Sequence, residues 1–284
     1  AALDPARRFG LLEALAADPH PWARRLALVA CTRLARADGA HLLYPGKVHS
    51  ISGEPGSGKS WLAILGVAQE LLEGRPALYV DFEDRPTTLI ERLRAIGVED
   101  EAIATLLRYV RPEQALDPAG ELALQRAASG CALAVVDGVT EAMGMHGLEM
   151  NDNTDVARFL ALLPRRIADV GPAVLQVDHV VKNAEARGRY AIGGQHKLAG
   201  IDGVAYKAVV AKPMARGIRG STRIVIDKDR GGHVGPTGMT AAELVLDATA
   251  AAEGGSTYLW ADVAAPELTE AGDFDRVAEL CTPL

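Results

Sequence analysis

One run of residues in the sequence has the spacing of a phosphate-binding loop. The run is Gly53-Glu54-Pro55-Gly56-Ser57-Gly58-Lys59-Ser60, it fits G-x-x-x-x-G-K-[ST], and Trp61 follows it. Its glycines let backbone N–H groups point at a phosphate, and a helix beginning near Lys59 adds its positive dipole end. We expect residues 53–61 to bind a nucleotide, with Lys59 on the β- and γ-phosphates and Ser60 on Mg²⁺. A chance match in a glycine-rich turn is the alternative.

Three further polar residues follow apolar runs that are typical of buried strands. Glu83 follows residues 76–82, Asp137 ends the run 131–137, and His179 comes soon after the run 173–177. The carboxyl ends of parallel strands meet at one edge of a sheet, and ligands bind beyond that edge. We therefore expect these three side chains to lie near Lys59.

The chemistry that these residues could perform is hydrolysis of a γ-phosphate. Asp137 lies where a Walker B acid would hold the Mg²⁺ shell, but Gly138 follows it where many ATPases have a glutamate. The base that activates water must therefore come from elsewhere. Glu83 is the best candidate, with Asp84 or Asp178 as alternatives. His179 could sense the γ-phosphate by hydrogen bonding.

The elements that position these residues alternate between strand and helix, which predicts an α/β fold with a mostly parallel sheet and helices on both faces. The predicted strands are 48–52, 76–82, 107–110, 131–137, 173–177, 204–211, 222–227 and 243–246. The predicted helices are 61–73, 86–97, 121–128 and 155–170, preceded by two short helices within residues 1–40. We assign residues 1–40 to an N-terminal helical segment, 41–248 to an ATPase domain and 249–284 to a tail without an assigned role.

Composition bounds the class of protein. The three cysteines, Cys31, Cys131 and Cys281, are far apart and lack the spacing of a disulfide framework or a metal site, which suits the reducing cytoplasm. No apolar stretch is long enough for a membrane span, so we expect no membrane association. The net charge of −7 argues against a protein that coats nucleic acid with its whole surface.

One segment nevertheless carries the opposite charge. Residues 180–235 contain eleven bases and four acids, a net charge of +7. The irregular stretch 181–202 within this segment is typical of a long loop. Four of its bases are candidate single-stranded DNA contacts, and we call them the loop bases: Lys182, Arg187, Arg189 and Lys197. The alternatives are a solvated surface or a surface facing the nucleotide of a neighbouring subunit.

These motifs together resemble those of RecA-like P-loop ATPases of the replicative helicase type, such as the DnaB-like and RepA-like helicases. The resemblance spans residues 41–247 and includes a terminal K-x-R-x-G formed by Lys228, Arg230 and Gly232. It implies ATP and Mg²⁺ as cofactors, Glu83 as base, Asp137 as Walker B acid and His179 as sensor. It also implies a hexameric ring on single-stranded DNA.

In such a ring, the resemblance makes Lys228 and Arg230 the finger presented to the ATP of the next subunit. The position of Arg230 agrees, because it lies just beyond a strand, in a turn loosened by glycines, where Asp229 could orient it. A surface salt bridge within the same subunit is the alternative.

Three functions fit these features. The first is an ATP-driven ring translocase on single-stranded DNA, a RepA-like replicative helicase. The second is a RecA- or RadA-type recombinase that forms filaments. The third is a protein that assembles on binding ATP and does no work on DNA.

Overall fold

The computed structural model describes residues 33–179, 198–249 and 260–265, and within these ranges both ends are described for eleven strands and seven helices. The strands are β1 (Arg33–Ala35), β2 (His41–Leu43), β3 (Val48–Gly53), β4 (Ala77–Asp81), β5 (Leu107–Val110), β6 (Leu133–Asp137), β7 (Ala173–His179), β8 (Val204–Lys212), β9 (Arg219–Asp229), β10 (Thr240–Asp247) and β11 (Trp260–Ala264). The helices are α1 (Lys59–Leu72), α2 (Pro86–Ile96), α3 (Asp100–Leu106), α4 (Pro118–Ala128), α5 (Val139–Met145), α6 (Asn153–Leu162) and α7 (Pro164–Ala168).

Nine strands form one sheet in the order β11-β10-β9-β8-β3-β7-β6-β4-β5, and β1 and β2 pair separately. The six strands from β8 to β5 are parallel, whereas β9, β10 and β11 continue the sheet as antiparallel neighbours. The prediction of an α/β fold with a mostly parallel sheet is confirmed. The antiparallel strands form the C-terminal part of the sheet.

The interior strand β6 shows why this sheet carries helices on both faces. All five of its residues are buried, and successive side chains alternate between two hydrophobic clusters. Val135 packs in the cluster that contains α1, and Val136 packs in the cluster that contains α4, α6 and α7. An uninterrupted apolar strand is the expected sequence for a position covered on both sides. In the described part of the chain, no helix has the length and apolar composition of a membrane span.

The structure corrects several predicted elements. The helix predicted at 155–170 is divided into α6 and α7, because Pro164 has no N–H to donate to the preceding turn and instead begins a new helix. Leu34, which we assigned to a helix, lies in β1. The strand predicted at 243–246 is not the last one, since β11 pairs with β10 at the edge of the sheet. The remainder of the predicted N-terminal helices lies outside the described residues.

Candidate active site

The phosphate-binding loop connects the end of β3 to the start of α1, and its glycines are required by both conformation and space. Gly56 and Gly58 have φ angles of 76° and 83°, in the left-handed region that favours glycine. A Cβ at Gly53 would lie 2.7 Å from Ser57 Oγ and 3.0 Å from the carbonyl oxygen of Ala208. The loop therefore turns tightly between β3 and α1, and residues with side chains would be strained or crowded at these glycines.

Lys59 lies inside this loop. Its side chain is only 5% exposed, and Nζ donates to the carbonyl oxygens of Gly53 at 3.0 Å and Glu54 at 2.9 Å. Burial lowers the pKa of Lys59, while the carboxylates of Glu83, Asp137 and Asp178 raise it. The ammonium group is thus held at the mouth of the loop, close enough to these acids to interact with them.

Strand register brings the other predicted residues to this same edge. Asp137 is paired with Asp81 on β4 and with Val177 on β7, and Gly53 is paired with His179. Glu83 Oε1 lies 3.5 Å from His179 Nε2, and both side chains are partly exposed. The structure therefore places Glu83, Asp137 and His179 around the mouth of the loop that holds Lys59.

Asp137 occupies the most unusual environment of the site. The pKa of its carboxyl group is raised to about 6: burial is the largest cause, the negative charges of Glu83 and Asp81 also raise the pKa, and the Tyr79 and Ser60 hydroxyls lower it. The Tyr79 hydroxyl donates to Oδ2 at 2.5 Å. Oδ1 is buried and has no hydrogen-bond partner among the described residues. A buried carboxylate oxygen without such a partner is suited to binding a cation or a water molecule of the cation's hydration shell.

A cavity of about 280 Å³ extends from this carboxylate between α1 and α2. Its lining includes Ser60, Asp137, Glu83, Asp81 and Arg92. No group of three or more His, Cys, Asp or Glu in the described ranges could hold a metal by itself. This donor set fits Mg²⁺, which commonly takes one or two protein ligands and completes its shell with water and substrate phosphates. Ser60 and Asp137 would hold the ion.

Gly138 explains why no glutamate follows the Walker B acid. Its φ angle is 86°, and a Cβ there would lie 3.3 Å from the Cβ atoms of both Glu83 and Phe82. A larger residue would be strained and would displace the turn that carries Glu83. The space next to Asp137 is thus filled by Glu83, which comes from the neighbouring strand.

The remaining predicted loop residue, Trp61, packs on a neighbouring helix. The Arg92 guanidinium of α2 lies 5.0 Å from the centre of its ring, a cation–π contact. Trp61 is half-buried against the core cluster. Its contact with a nucleotide stays a prediction.

Lys228 and Arg230 lie at the opposite edge of the sheet from the phosphate-binding loop. Lys228 Nζ donates to the carbonyl oxygens of Leu198 at 2.6 Å, Ile201 at 2.7 Å and Ala199 at 3.1 Å. Arg230 Nη2 reaches the carbonyl oxygen of Ala199 at 3.3 Å. These contacts show Lys228 bound within its own chain, and a role for either residue in a neighbouring site stays a prediction.

The immediate surroundings of Arg230 differ from the prediction. Among the residues that the structure describes, Arg230 forms no ion pair with an acid, in contrast to the salt-bridge alternative. Asp229 does not orient it, because its carboxylate accepts hydrogen bonds from the Tyr44 hydroxyl and the amides of Val234 and Gly235. The four loop bases that we predicted to contact DNA lie outside the described residues.

Sequence reasoning missed residues that support the site from behind. Tyr79 contacts Asp137, and Thr222 Oγ1 on β9 donates to the carbonyl oxygen of Ser57 at 2.9 Å. The signal for Tyr79 is its position two residues before Asp81, because alternate residues of a strand share one face. Thr222 is distant in sequence and carried no comparable signal.

Comparisons with known proteins agree with this geometry. Residues 30–185 match the model of the AAA_25 family, which is described as an AAA domain. Among solved structures, the KaiC-like protein PH0186 from Pyrococcus horikoshii OT3 aligns with a TM-score of 0.54 and 13% identity, over 81% of this chain and 97% of that one. This likeness confirms the RecA-like fold. A search of curated proteins found no match.

Proposed function

We propose that this chain, which belongs to the AAA_25 family of AAA domains, is a Mg²⁺-dependent ATPase that translocates on or unwinds DNA as a hexameric ring. The observation that carries the ATPase proposal is the convergence of Lys59, Asp137 and the Glu83–His179 pair at one edge of the sheet. Hydrolysis needs phosphate-binding groups, a metal-binding acid and a group that activates water, and a candidate residue for each lies at that edge.

Each residue has a defined part in this reaction. Lys59 exchanges its carbonyl partners for the β- and γ-phosphates, and the loop amides bind phosphate oxygens. Glu83 accepts the proton of the attacking water, and His179, 3.5 Å from Glu83, senses the γ-phosphate. Bound Mg²⁺ supplies positive charge to the phosphate oxygens.

The proposal of a DNA motor depends on charge. Residues 180–235 carry +7 in a chain whose net charge is −7, and the loop bases lie in this segment. Local positive charge favours contact with a phosphate backbone, and release of counterions makes that contact salt-dependent. In the proposed ring, the loop bases face the central channel, and Lys228 and Arg230 serve the neighbouring subunit.

The ATPase proposal is tested by phosphate release from the wild type, Lys59→Ala and Glu83→Gln. We expect Lys59→Ala to lose tight binding of a fluorescent ATP analogue. Glu83→Gln should keep binding while turnover falls by about two to four decades, because the amide cannot accept a proton. Wild-type turnover in Glu83→Gln would mean that Glu83 is not the base.

The motor proposal is tested separately. Electron microscopy with a non-hydrolysable ATP analogue should show closed rings, and a forked DNA substrate should be unwound only with hydrolysable ATP. Filaments would favour a recombinase. ATP hydrolysis with neither assembly would contradict the ring and leave the ATPase in place.

A further inference from the structure

Two tyrosines on neighbouring strands lie directly behind the candidate active site. Tyr79 on β4 and Tyr109 on β5 are register partners, and their rings stack with centroids 6.5 Å apart and an interplanar angle of 14°. Each hydroxyl donates to a different carboxylate. Tyr79 contacts Asp137 Oδ2 at 2.5 Å, and Tyr109 contacts Asp81 Oδ2 at 3.0 Å.

The contact of Tyr79 controls the orientation of Asp137. Tyr79 is 2% exposed, so its hydroxyl needs a hydrogen-bond partner within the protein. By occupying Oδ2, it fixes the rotation of the carboxylate. Oδ1, which has no partner among the described residues, is then the oxygen left for the metal site. This arrangement is that of an outer partner holding a metal ligand in place.

The contact of Tyr109 acts on the part of the site that carries Glu83. Asp81 accepts from Tyr109 through Oδ2 and from the amides of Glu83 at 3.0 Å and Asp84 at 2.8 Å through Oδ1. Asp81 therefore fixes the turn from which the Glu83 side chain projects. Tyr109 holds Asp81 in the rotation that makes this possible.

We propose that Tyr79 and Tyr109 are positioning residues, with Tyr79 orienting the metal-binding carboxylate of Asp137 and Tyr109 orienting the Glu83 turn through Asp81. This inference rests on the proposed ATPase function. Stacking of the two rings links the orientation of Asp137 to that of the Glu83 turn, because it holds the two tyrosine hydroxyls at a fixed spacing. Replacing either tyrosine with phenylalanine keeps the ring and removes only the hydroxyl.

The two variants should differ in kind. Tyr79→Phe should raise the half-saturating Mn²⁺ concentration by about 10–100-fold, the usual effect of removing an outer partner of a metal ligand. Electron paramagnetic resonance of Mn²⁺ with a non-hydrolysable ATP analogue measures this without turnover. Tyr109→Phe should leave the Mn²⁺ titration and KM unchanged and lower kcat by about 10–100-fold, because the base is misplaced.

Tyr206→Phe is the matched control, since the Tyr206 side chain is also buried and donates at 2.5 Å to the carbonyl oxygen of Leu42, away from the active site. It should lose stability in a thermal melt without altering the Mn²⁺ titration. The inference is overturned if Tyr79→Phe titrates like the wild type, if Tyr206→Phe shifts the titration equally, or if Tyr109→Phe keeps wild-type kcat. A wild type that binds no nucleotide would instead overturn the proposed function, and the inference with it.

Discussion

Acidification should destabilise the protein through one buried histidine. His49 on β3 is fully buried, its Nδ1 accepts from the amide of Val204 at 2.9 Å, and its Nε2 lies 2.9 Å from the amide nitrogen and 3.0 Å from the carbonyl oxygen of Tyr44. A Cβ on Gly203 would lie 2.4 Å from the ring, so no space separates the two. A proton on Nδ1 would oppose the amide donor of Val204 and place an unsolvated charge in the interior.

The size of the effect follows from the pKa. The pKa of His49 is lowered from 6.5 to about 4: burial is the largest cause and Lys47 also lowers the pKa, while the hydrogen bond with the Tyr44 backbone and the charges of Asp202 and Asp229 raise it. Below pH 6.5 the unfolded chain takes up a proton that the folded chain refuses, so stability falls as pH falls until the folded pKa is reached. The contribution of His49 to the free energy of unfolding should decrease by about 2 kcal/mol between pH 8 and pH 5, and by about 3 kcal/mol at pH 4. Asp137, with its raised pKa of about 6, acts in the opposite direction and should offset about 1 kcal/mol of this loss at pH 5.

Urea unfolding curves at pH 8, 6 and 5, followed by circular dichroism, measure this loss. His49→Gln retains an acceptor and a donor but cannot be protonated, so between pH 8 and pH 5 the change in its free energy of unfolding should differ from that of the wild type by about 2 kcal/mol in favour of the variant. His233→Gln replaces an exposed histidine that packs on the same Tyr44 ring, and it should keep the wild-type dependence. Parallel curves for His49→Gln and wild type would refute the reasoning.

Three further predictions concern the site and its partners. Gly138→Ala should lose about 1–3 kcal/mol of stability and also lower turnover. Gly130→Ala is the control: its φ of 76° strains an alanine, but nothing described lies within 4 Å of the added Cβ, so it should lose stability without a change in turnover. Equal turnover in both variants would contradict the crowding of Glu83. Arg230→Ala and Glu83→Gln protomers, each inactive alone, should recover part of the ATPase when mixed, and no recovery despite proven mixing would place Arg230 outside the active site. Neutralising the loop bases should flatten the salt dependence of DNA binding, measured by fluorescence anisotropy, by nearly one unit of the log–log slope for each DNA phosphate that the protein no longer neutralises. An unchanged slope and affinity would make these residues a solvated surface.

Local signals in the sequence predicted much of the fold. Pro86 begins α2 and Gly97 follows it in the left-handed conformation, as expected for residues with these backbone preferences. The buried strand before Asp137 was recognised from its uninterrupted apolar run. A short edge strand was missed. β11 is the next strand after β10 and lies in the segment that we assigned to a tail, and its five residues carry little periodicity of their own.

The site was predictable to the extent that its residues follow strands. Lys59 was identified from the spacing of its loop, whereas Asp137 and His179 were identified because parallel strands deliver their ends to one edge. The contacts that orient them were not identifiable, because Tyr79 and Asp137 are 58 residues apart and their contact depends on the register of β4 against β6. Sequence patterns thus indicate which groups arrive at the site, while their orientation depends on tertiary packing.

The positions of the phosphate-binding loop and of Lys228 and Arg230 give the protomer a polarity. Gly53 lies at the carboxyl end of β3, while Asp229 pairs with Val204 at the amino end of β8, which runs parallel to β3. A two-fold axis perpendicular to the strands would set each loop against the Arg230 edge of the other subunit, and the assembly would end at a dimer. Subunits repeated in the same direction, head to tail, would also set the Arg230 edge of one against the loop of the next, and each subunit would keep one loop and one Arg230 edge for further neighbours. This head-to-tail contact is heterologous, so the rotation between neighbours alone decides whether the assembly closes or grows without limit.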